Sequence, residues 1–468
     1  MTTLEALSDV DAEAVEQLRA GFRGELVLPG DVDYDEARAV WNGMIDRRPA
    51  LIARCAGVAD VVAAVGFARE HGLLTAIRGG GHNVAGNAVC DGGIVVDVSP
   101  MKGVAVDPRR RTVHAQGGLT WGELDRETQV HGLATTGGLV SSTGIAGFTL
   151  GGGIGWLQRA HGLACDNLVS AEVVTAEGTV VRASDDEHPD LYFGLRGGGG
   201  NFGVVTSFEF RLHPVGPVLG GNVLYPLDAA RDVLIGWSDF ASTAPDELTT
   251  MAAFITVPPL PFIPEHLHGT QAVAIAFCYL GPEAEGQRLV APLAELAPGG
   301  VALVHAMPYT VLQTMFDPAA PAGKLNYWKS EYLSGLTEEA AEALVDGVRR
   351  IGSPLTQVHV HQLGGAMSRV PEGETAFAHR SAPFLLNVIG MWEDPGESEL
   401  HIAWARELWE SMQPFSAGGA YVNFLGEEGG DRVRAAYDER TFERLAAVKQ
   451  AYDPENFFRL NQNIRPAA

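Results

Sequence analysis

Apolar and polar positions along this chain alternate first with one period and then with another. Leu51–Arg54 is a short apolar run, and over Val58–Glu70 the residues Val61, Val62, Val65 and Ala68 recur on one helical face. Gly72 ends that helix and Leu73–Ile77 predicts a second strand, so residues 50–78 read as a β-α-β unit. The strand stops at Arg78-Gly79-Gly80-Gly81-His82-Asn83, and in α/β layouts ligands sit at the carboxyl ends of strands. Ile94–Val98 predicts a buried strand. Two hairpins are predicted, Gly103–Val106 with Thr112–Ala115, and Val169–Thr175 with Thr179–Ala183. Trp121–Val130 predicts a short helix with Thr120 as N-cap and Glu123 three residues on. Val204–Leu212 predicts another strand.

After His213-Pro214 the pattern changes. Apolar-rich strands are predicted near Val218–Tyr225, Met251–Val257, Gln271–Tyr279, Gln357–Gln362 and Phe384–Met391, with helices near 228–241, 283–296, 337–351 and 397–412. This predicts an α+β lobe, an antiparallel sheet covered by helices on one face. The proline-rich run 258–264 reads as a surface loop. Ala420–Pro466 has a strand-then-helix pattern of its own.

A chain of 468 residues is too long for one ordinary core, which agrees with two lobes. No run of 18 apolar residues predicts a membrane span, and Met1–Glu5 lacks the pattern of a secretory signal, so a cytoplasmic globular protein is expected. The net charge of −25 argues against nucleic acid as a partner. Cys55, Cys90, Cys165 and Cys278 show no zinc-type spacing and read as reduced core residues. No metal site is expected, because nothing nearby completes an i, i+2 pair at His359 and His361. A monomer or homodimer is expected.

Of 57 glycines, three short windows, 79–93, 137–155 and 197–203, hold six, eight and five. Glycine lets a ligand approach the backbone, and successive N–H groups then cradle phosphate oxygens without basic side chains. Such a device suits an acidic protein that binds a pyrophosphate.

The block Arg78-Gly79-Gly80-Gly81-His82-Asn83-Val84-Ala85-Gly86 resembles the FAD-linked oxidases of the vanillyl-alcohol-oxidase class, in their berberine-bridge-like branch. Three further blocks agree: Gly144–Gly155, Leu195–Phe210, and Tyr421-Val422-Asn423-Phe424 with Tyr452–Phe458 and Asn461-Gln462. The resemblance implies a two-lobed fold of the PCMH type. Residues 1–214 and the returning segment 415–468 would bind FAD, and residues 215–414 would form the substrate lobe. It implies one covalent bond from His82 to the flavin 8α-methyl. Relatives with a second, cysteinyl tether carry it where this chain has Val140, between Leu139 and Ser141, so no cysteinyl link is expected. Cofactor contacts are implied for Arg78, Gly79, Gly80, Gly81, Asn83, Val140, Ser142, Thr143, Gly144, Gly147, Gly152, Gly153, Gly155, Asn201, Gly203, Val205, Tyr421 and Asn423. Thr143 is either a residue that governs dioxygen access or an ordinary turn residue.

A flavin oxidase needs a base for the substrate hydroxyl. On the predicted strand Gln357–Gln362, Gln357, His359 and His361 share one face, either a polar pocket wall or a solvent-exposed strand face. Tyr421 and Asn423 share a face of a further expected strand, where Tyr421 is either an active-site phenol or a core aromatic. Trp156, Tyr327 and Trp328 are candidate pocket aromatics. The reading is an FAD oxidase that takes a hydride from an alcohol, lactol or phenolic, polyketide-like substrate and is reoxidised by dioxygen. The alternatives are an oxygenase or dehydrogenase on the same scaffold, or a catalytically silent flavin-binding protein.

Overall fold

A computed structural model describes residues 12–261 and 263–467; Met1–Glu5 and Phe262 of the proline-rich loop lie outside the described residues. The first lobe holds two sheets. Leu51–Arg54, Ile94–Asp97 and Thr75–Arg78 run parallel, with Glu25–Val27 antiparallel at the edge. The central strand Ile94–Asp97 is buried throughout, which accounts for the apolar run Ile94-Val95-Val96. The two predicted hairpins form an antiparallel five-stranded sheet with Val204–Arg211 between them. Helix Val58–Glu70 lies between the sheets, packing Val61 and Val65 with Val96 on one side and Val174 and Val204 on the other. Helix Trp121–Gln129 starts with the expected capping box of Thr120 and Glu123.

The second lobe is a seven-stranded antiparallel sheet in the order Val301–Met307, Val218–Pro226, Gln271–Tyr279, Leu248–Thr256, Gln357–Gln362, Phe384–Trp392, Leu325–Leu333. Helices Ala230–Thr243, Glu338–Val348 and Ser398–Met412 cover one face, burying Trp237, Leu344, Trp404 and Leu408 against Phe254, Val358, Val360 and Leu386. Val358 and Val360 face these helices, so His359 and His361 face the other way. Two strands were not predicted. Val301–Met307 is an edge strand with no buried residue. Leu325–Leu333 carries charges in its middle: Lys329 pairs with Glu428, and Glu331 accepts hydrogen bonds from Trp409, Gln413 and Ser416.

The expected strand at Tyr421–Asn423 is not formed. Val422–Phe424 is a single 3-10 turn, followed by helices Gly430–Ala435 and Glu439–Tyr452. The final helix buries Leu445 and Val448 in the first lobe with Phe202 and Phe208. Lys449, fully buried, donates to Asp453 at 2.7 Å and to the carbonyls of Asn201 and Phe458, while Asp453 accepts from the backbone N–H of Phe457 and Phe458. The Asp-Pro-Glu-Asn-Phe-Phe block is therefore a clasp held by buried Asp453 and Phe458.

The lobes are tied by buried polar groups. Arg159 donates to the carbonyls of Leu248, Leu363 and Ala244, and Gln158 donates to the carbonyl of Gln362. Asp125 accepts from Gln313 at 2.8 Å, and its other carboxyl oxygen has no partner. Burial pushes Asp125 from its ordinary 3.8 up to about 7. The folded state then holds a proton that the unfolded chain releases between those values, and stability falls as pH rises from about 4 to 7. The full effect is on the order of 4 kcal/mol. Asp125→Asn is expected to melt within about 2 °C of the parent at pH 5 and several degrees above it at pH 8. Identical differences at both pH values in thermal melts would contradict this.

Candidate active site

A single cavity of about 330 Å³ runs from the carboxyl end of Thr75–Arg78 to the open face of the seven-stranded sheet. Two glycine loops close against each other along it. A Cβ on Gly80 would lie 2.4 Å from the Gly144 nitrogen, and one on Gly144 would lie 2.5 Å from the Gly80 nitrogen. Backbone thus packs on backbone, which only glycine permits. Gly147 and Gly200 line the cavity, and a Cβ on either would meet no protein atom, so the space over them is open to a ligand. Among the described residues, no Lys, Arg, Asp or Glu lines this cavity. An anionic ligand held here relies on backbone N–H groups and neutral side chains.

His82 lines the cavity between these loops. Its Nε2 is 3.0 Å from the Ser142 hydroxyl, and its ring stacks on Trp41 at 5.3 Å and 19°. Ser142 sits on a loop pinned by Asp317, which accepts from the Ser141 N–H and hydroxyl. Burial pulls the His82 pKa down to about 4, opposed only weakly by Asp317. The imidazole is therefore neutral at physiological pH and keeps a lone pair.

The opposite wall is the sheet face bearing Gln357, His359 and His361, all buried, which rules out a solvent-exposed strand face. Gln357 Nε2 donates to the Ala319 carbonyl at 2.7 Å, so its Oε1 faces His359 Nε2 at 3.0 Å. That arrangement puts the His359 proton on Nε2. Burial lowers the His359 pKa to about 4 and holds His361 well below the usual histidine range, helped by its neighbour. His361 Nε2 is buried with no partner, as is Oδ1 of Asn387, which pairs across from His359 on the next strand. Two unsatisfied polar atoms at one cavity wall are open to a ligand. Trp41, Phe316, Trp328 and Phe424 add aromatic walls.

Of the residues singled out in the sequence, Gly79, Gly80, Gly81, His82, Asn83, Val140, Thr143, Gly144, Gly147, Gly203, Val205, His359, His361 and Asn423 line the cavity. Ser142 reaches it through His82. Others sit elsewhere. The Arg78 guanidinium turns back to the Ala37 and Ala39 carbonyls and Asp97. Asn201 bonds Gly198, Gln462 and Ile464, fixing the carboxyl-terminal segment. Gly152, Gly153 and Gly155 are packing glycines whose Cβ atoms would strike Phe377, Ala164 and the Gly137 carbonyl. Tyr421 is not on the cavity wall. Its hydroxyl accepts from the N–H groups of Gly153 and Ile154 and from Asn423, and burial raises its pKa, so it holds the second glycine loop. Trp156 is buried behind Phe316, and Tyr327 points to the helical face, accepting from Arg406. Trp41 and Asn387 were missed. A lone Asn within the apolar run Phe384–Met391 was the available signal for Asn387.

Comparison with known proteins agrees with this geometry. Residues 49–184 match the FAD binding domain family and residues 420–465 match the berberine and berberine-like family. The chain is 32% identical to the FAD-linked oxidoreductase YgaK of Bacillus subtilis, over 95% of this chain and 97% of that protein. It is also 32% identical to (R)-6-hydroxynicotine oxidase of Paenarthrobacter nicotinovorans, over 95% and 97%. The crystal structure of 6-hydroxy-D-nicotine oxidase from Arthrobacter nicotinovorans superposes with a TM-score of 0.86 at 30% identity, covering 95% of this chain and 98% of that one. The fold and site define an FAD-dependent oxidoreductase. Within that class, the chain belongs to the berberine-bridge-like family of FAD-linked oxidoreductases.

Proposed function

We propose that the protein is an FAD-dependent oxidase whose flavin is bonded once, to His82, and whose substrate is an uncharged small alcohol, lactol or phenolic compound. Residues 1–214 with 415–468 hold the cofactor, and residues 215–414 supply the substrate wall. The observation that carries this reading is the shared cavity: a neutral imidazole on one wall and the buried polar set Gln357, His359, His361 and Asn387 on the other. The residues fit FAD, because the open glycine cradle at Gly147 and Gly200 offers backbone donors to an anion where, among the described residues, no cation lines the cavity.

FAD, when bound, accepts a hydride from substrate and delivers two electrons to dioxygen as hydrogen peroxide. Attachment at His82 would replace an imidazole N–H and one methyl C–H by a C–N bond, with the two hydrogens and two electrons passing to dioxygen as peroxide. Ser142 engages Nε2, which leaves Nδ1 for that bond. Val140 lines the cavity where a second tether would need a cysteine, and none of the four cysteines lines it. His361, with an unpartnered Nε2, takes the substrate hydroxyl proton, and Gln357 orients His359 beside it. Asn387 holds the substrate's polar edge. The aromatic walls and the absence of lining charges favour planar, uncharged molecules over carboxylates and ammonium ions, whose desolvation would go uncompensated.

The test is anaerobic mixing with a panel of aromatic alcohols, lactols and sugars, followed by dioxygen. Bleaching of the flavin by an uncharged substrate and one peroxide per bleached flavin is expected. Rapid bleaching with no reoxidation would assign a dehydrogenase, and incorporation of labelled oxygen into product would assign an oxygenase.

A further inference from the structure

The segment Trp41–Gly43 lies far from either lobe's motifs, yet it is fastened to both. Toward the His82 loop, the Trp41 N–H donates to the Gly81 carbonyl at 3.1 Å and Asn42 Nδ2 donates to the Val84 carbonyl at 2.8 Å. Toward the second lobe, Trp41 Nε1 donates to the Ala320 carbonyl at 3.1 Å, and the Gly323 N–H donates to the Trp41 carbonyl at 2.9 Å. The Gly43 N–H reaches the Lys324 carbonyl at 2.8 Å, and Asn42 exchanges two hydrogen bonds of 3.0 Å with the Asn326 backbone. A Cβ on Gly43 would lie 2.3 Å from the Gly323 carbonyl oxygen, so the two segments touch backbone to backbone. This strap carries one large side chain into the cavity wall, Trp41, which is 6% exposed.

An imidazole on a glycine-rich loop has two rotations to fix before its lone pair points at one carbon atom. Ser142 at Nε2 fixes the rotation within the ring plane. The near-parallel indole of Trp41 fixes the plane itself. Trp41 is in turn set edge-on against Trp328 at 5.7 Å and 75° and anchored through its N–H to Ala320. The orientation of His82 thus depends on a residue held by the second lobe.

We propose that Trp41 is a positioning residue for covalent flavin attachment: its indole face orients the His82 imidazole, and its strap makes that orientation conditional on the second lobe being docked. The proposal rests on the His82 tether proposed above. Trp41 contributes no proton or electron to the bond.

Apoprotein of the parent, Trp41→Phe and Trp41→Leu is incubated with FAD, quenched in acid at intervals, and scored for flavin retained by the polypeptide. Reversible FAD affinity is read separately at early times by flavin fluorescence. Leu fills part of the volume without an aromatic face, whereas Phe restores the face without the N–H. Attachment is expected to slow by about tenfold or more in the Leu variant and to stay within about threefold of the parent in the Phe variant, with FAD affinity little changed in both. Equal attachment rates in the Leu variant and the parent would overturn the proposal. So would equal slowing in both variants, or slowing that only mirrors lost FAD affinity. A parent that never retains flavin in acid would sink the tether itself, a separate result.

Discussion

His82→Ala is expected to bind FAD and lose all of it on acid precipitation, and its flavin is expected to be reduced by substrate about tenfold more slowly or worse. The binding survives because the cradle is backbone: Gly80 against Gly144, with open space at Gly147 and Gly200, is untouched by the substitution. The tether is lost because the other two imidazoles of the cavity, His359 and His361, stand on the opposite wall and none of the four cysteines lines it. Cys90 is buried, its thiol pushed up to about 12, and Cys165 lies beside Asp166 with its pKa also raised. The slower reduction is expected because the proposed attachment would raise the flavin potential, and each ~30 mV of a two-electron couple is worth about tenfold in equilibrium. Absorbance of the acid pellet and anaerobic stopped-flow reduction check both parts. A pellet that stays yellow would place the tether elsewhere.

His361→Phe is expected to lower kcat/KM by about 10²- to 10⁴-fold, the range for removal of a positioned general base. Its Nε2 faces the cavity wall with no protein partner, so nothing in the protein replaces the lost acceptor. Gln357→Leu is expected to cost less, because it frees His359 to turn but leaves His361 in place. The pH profile carries a sign of its own. Burial lowers the pKa of both histidines, so both are neutral and competent down to well below 6.5, and the acid limb of kcat/KM should lie below pH 6. An acid limb centred near 6.5, or a His361→Phe loss under about fivefold, would remove His361 from the role of base.

The parts of the site written in one stretch of chain were legible beforehand. The glycine blocks pointed to a backbone cradle, and Gly79–Gly81, Gly144, Gly147 and Gly200 do line the cavity, although Gly152, Gly153 and Gly155 of the same blocks serve packing. The alternation of Gln357, His359 and His361 with Val358 and Val360 placed three polar groups on one face of a strand. What could not be read are contacts between segments far apart. Trp41 meets His82 and Ala320 only after the lobes close, and no motif surrounds it. Leu325–Leu333 hid as a strand because Lys329 and Glu331 break its apolar pattern, and their partners, Glu428 and Ser416, come from the carboxyl-terminal segment. Tyr421 was read by period as a strand residue, whereas a 3-10 turn directs its hydroxyl at the Gly153 and Ile154 amides. Arg78, beside the glycine block, was implied as a cofactor contact by the resemblance, yet its guanidinium satisfies main-chain carbonyls behind the loop.

Peptide mapping of the flavin-loaded protein would show whether His82 carries a single covalent flavin. Trypsin releases residues 79–102, a peptide that contains both His82 and Cys90. This peptide is expected to carry one flavin increment, localised by fragmentation to His82, with every other peptide unmodified. An unmodified 79–102 peptide from flavin-saturated protein, or flavin localised to any other residue, would contradict it.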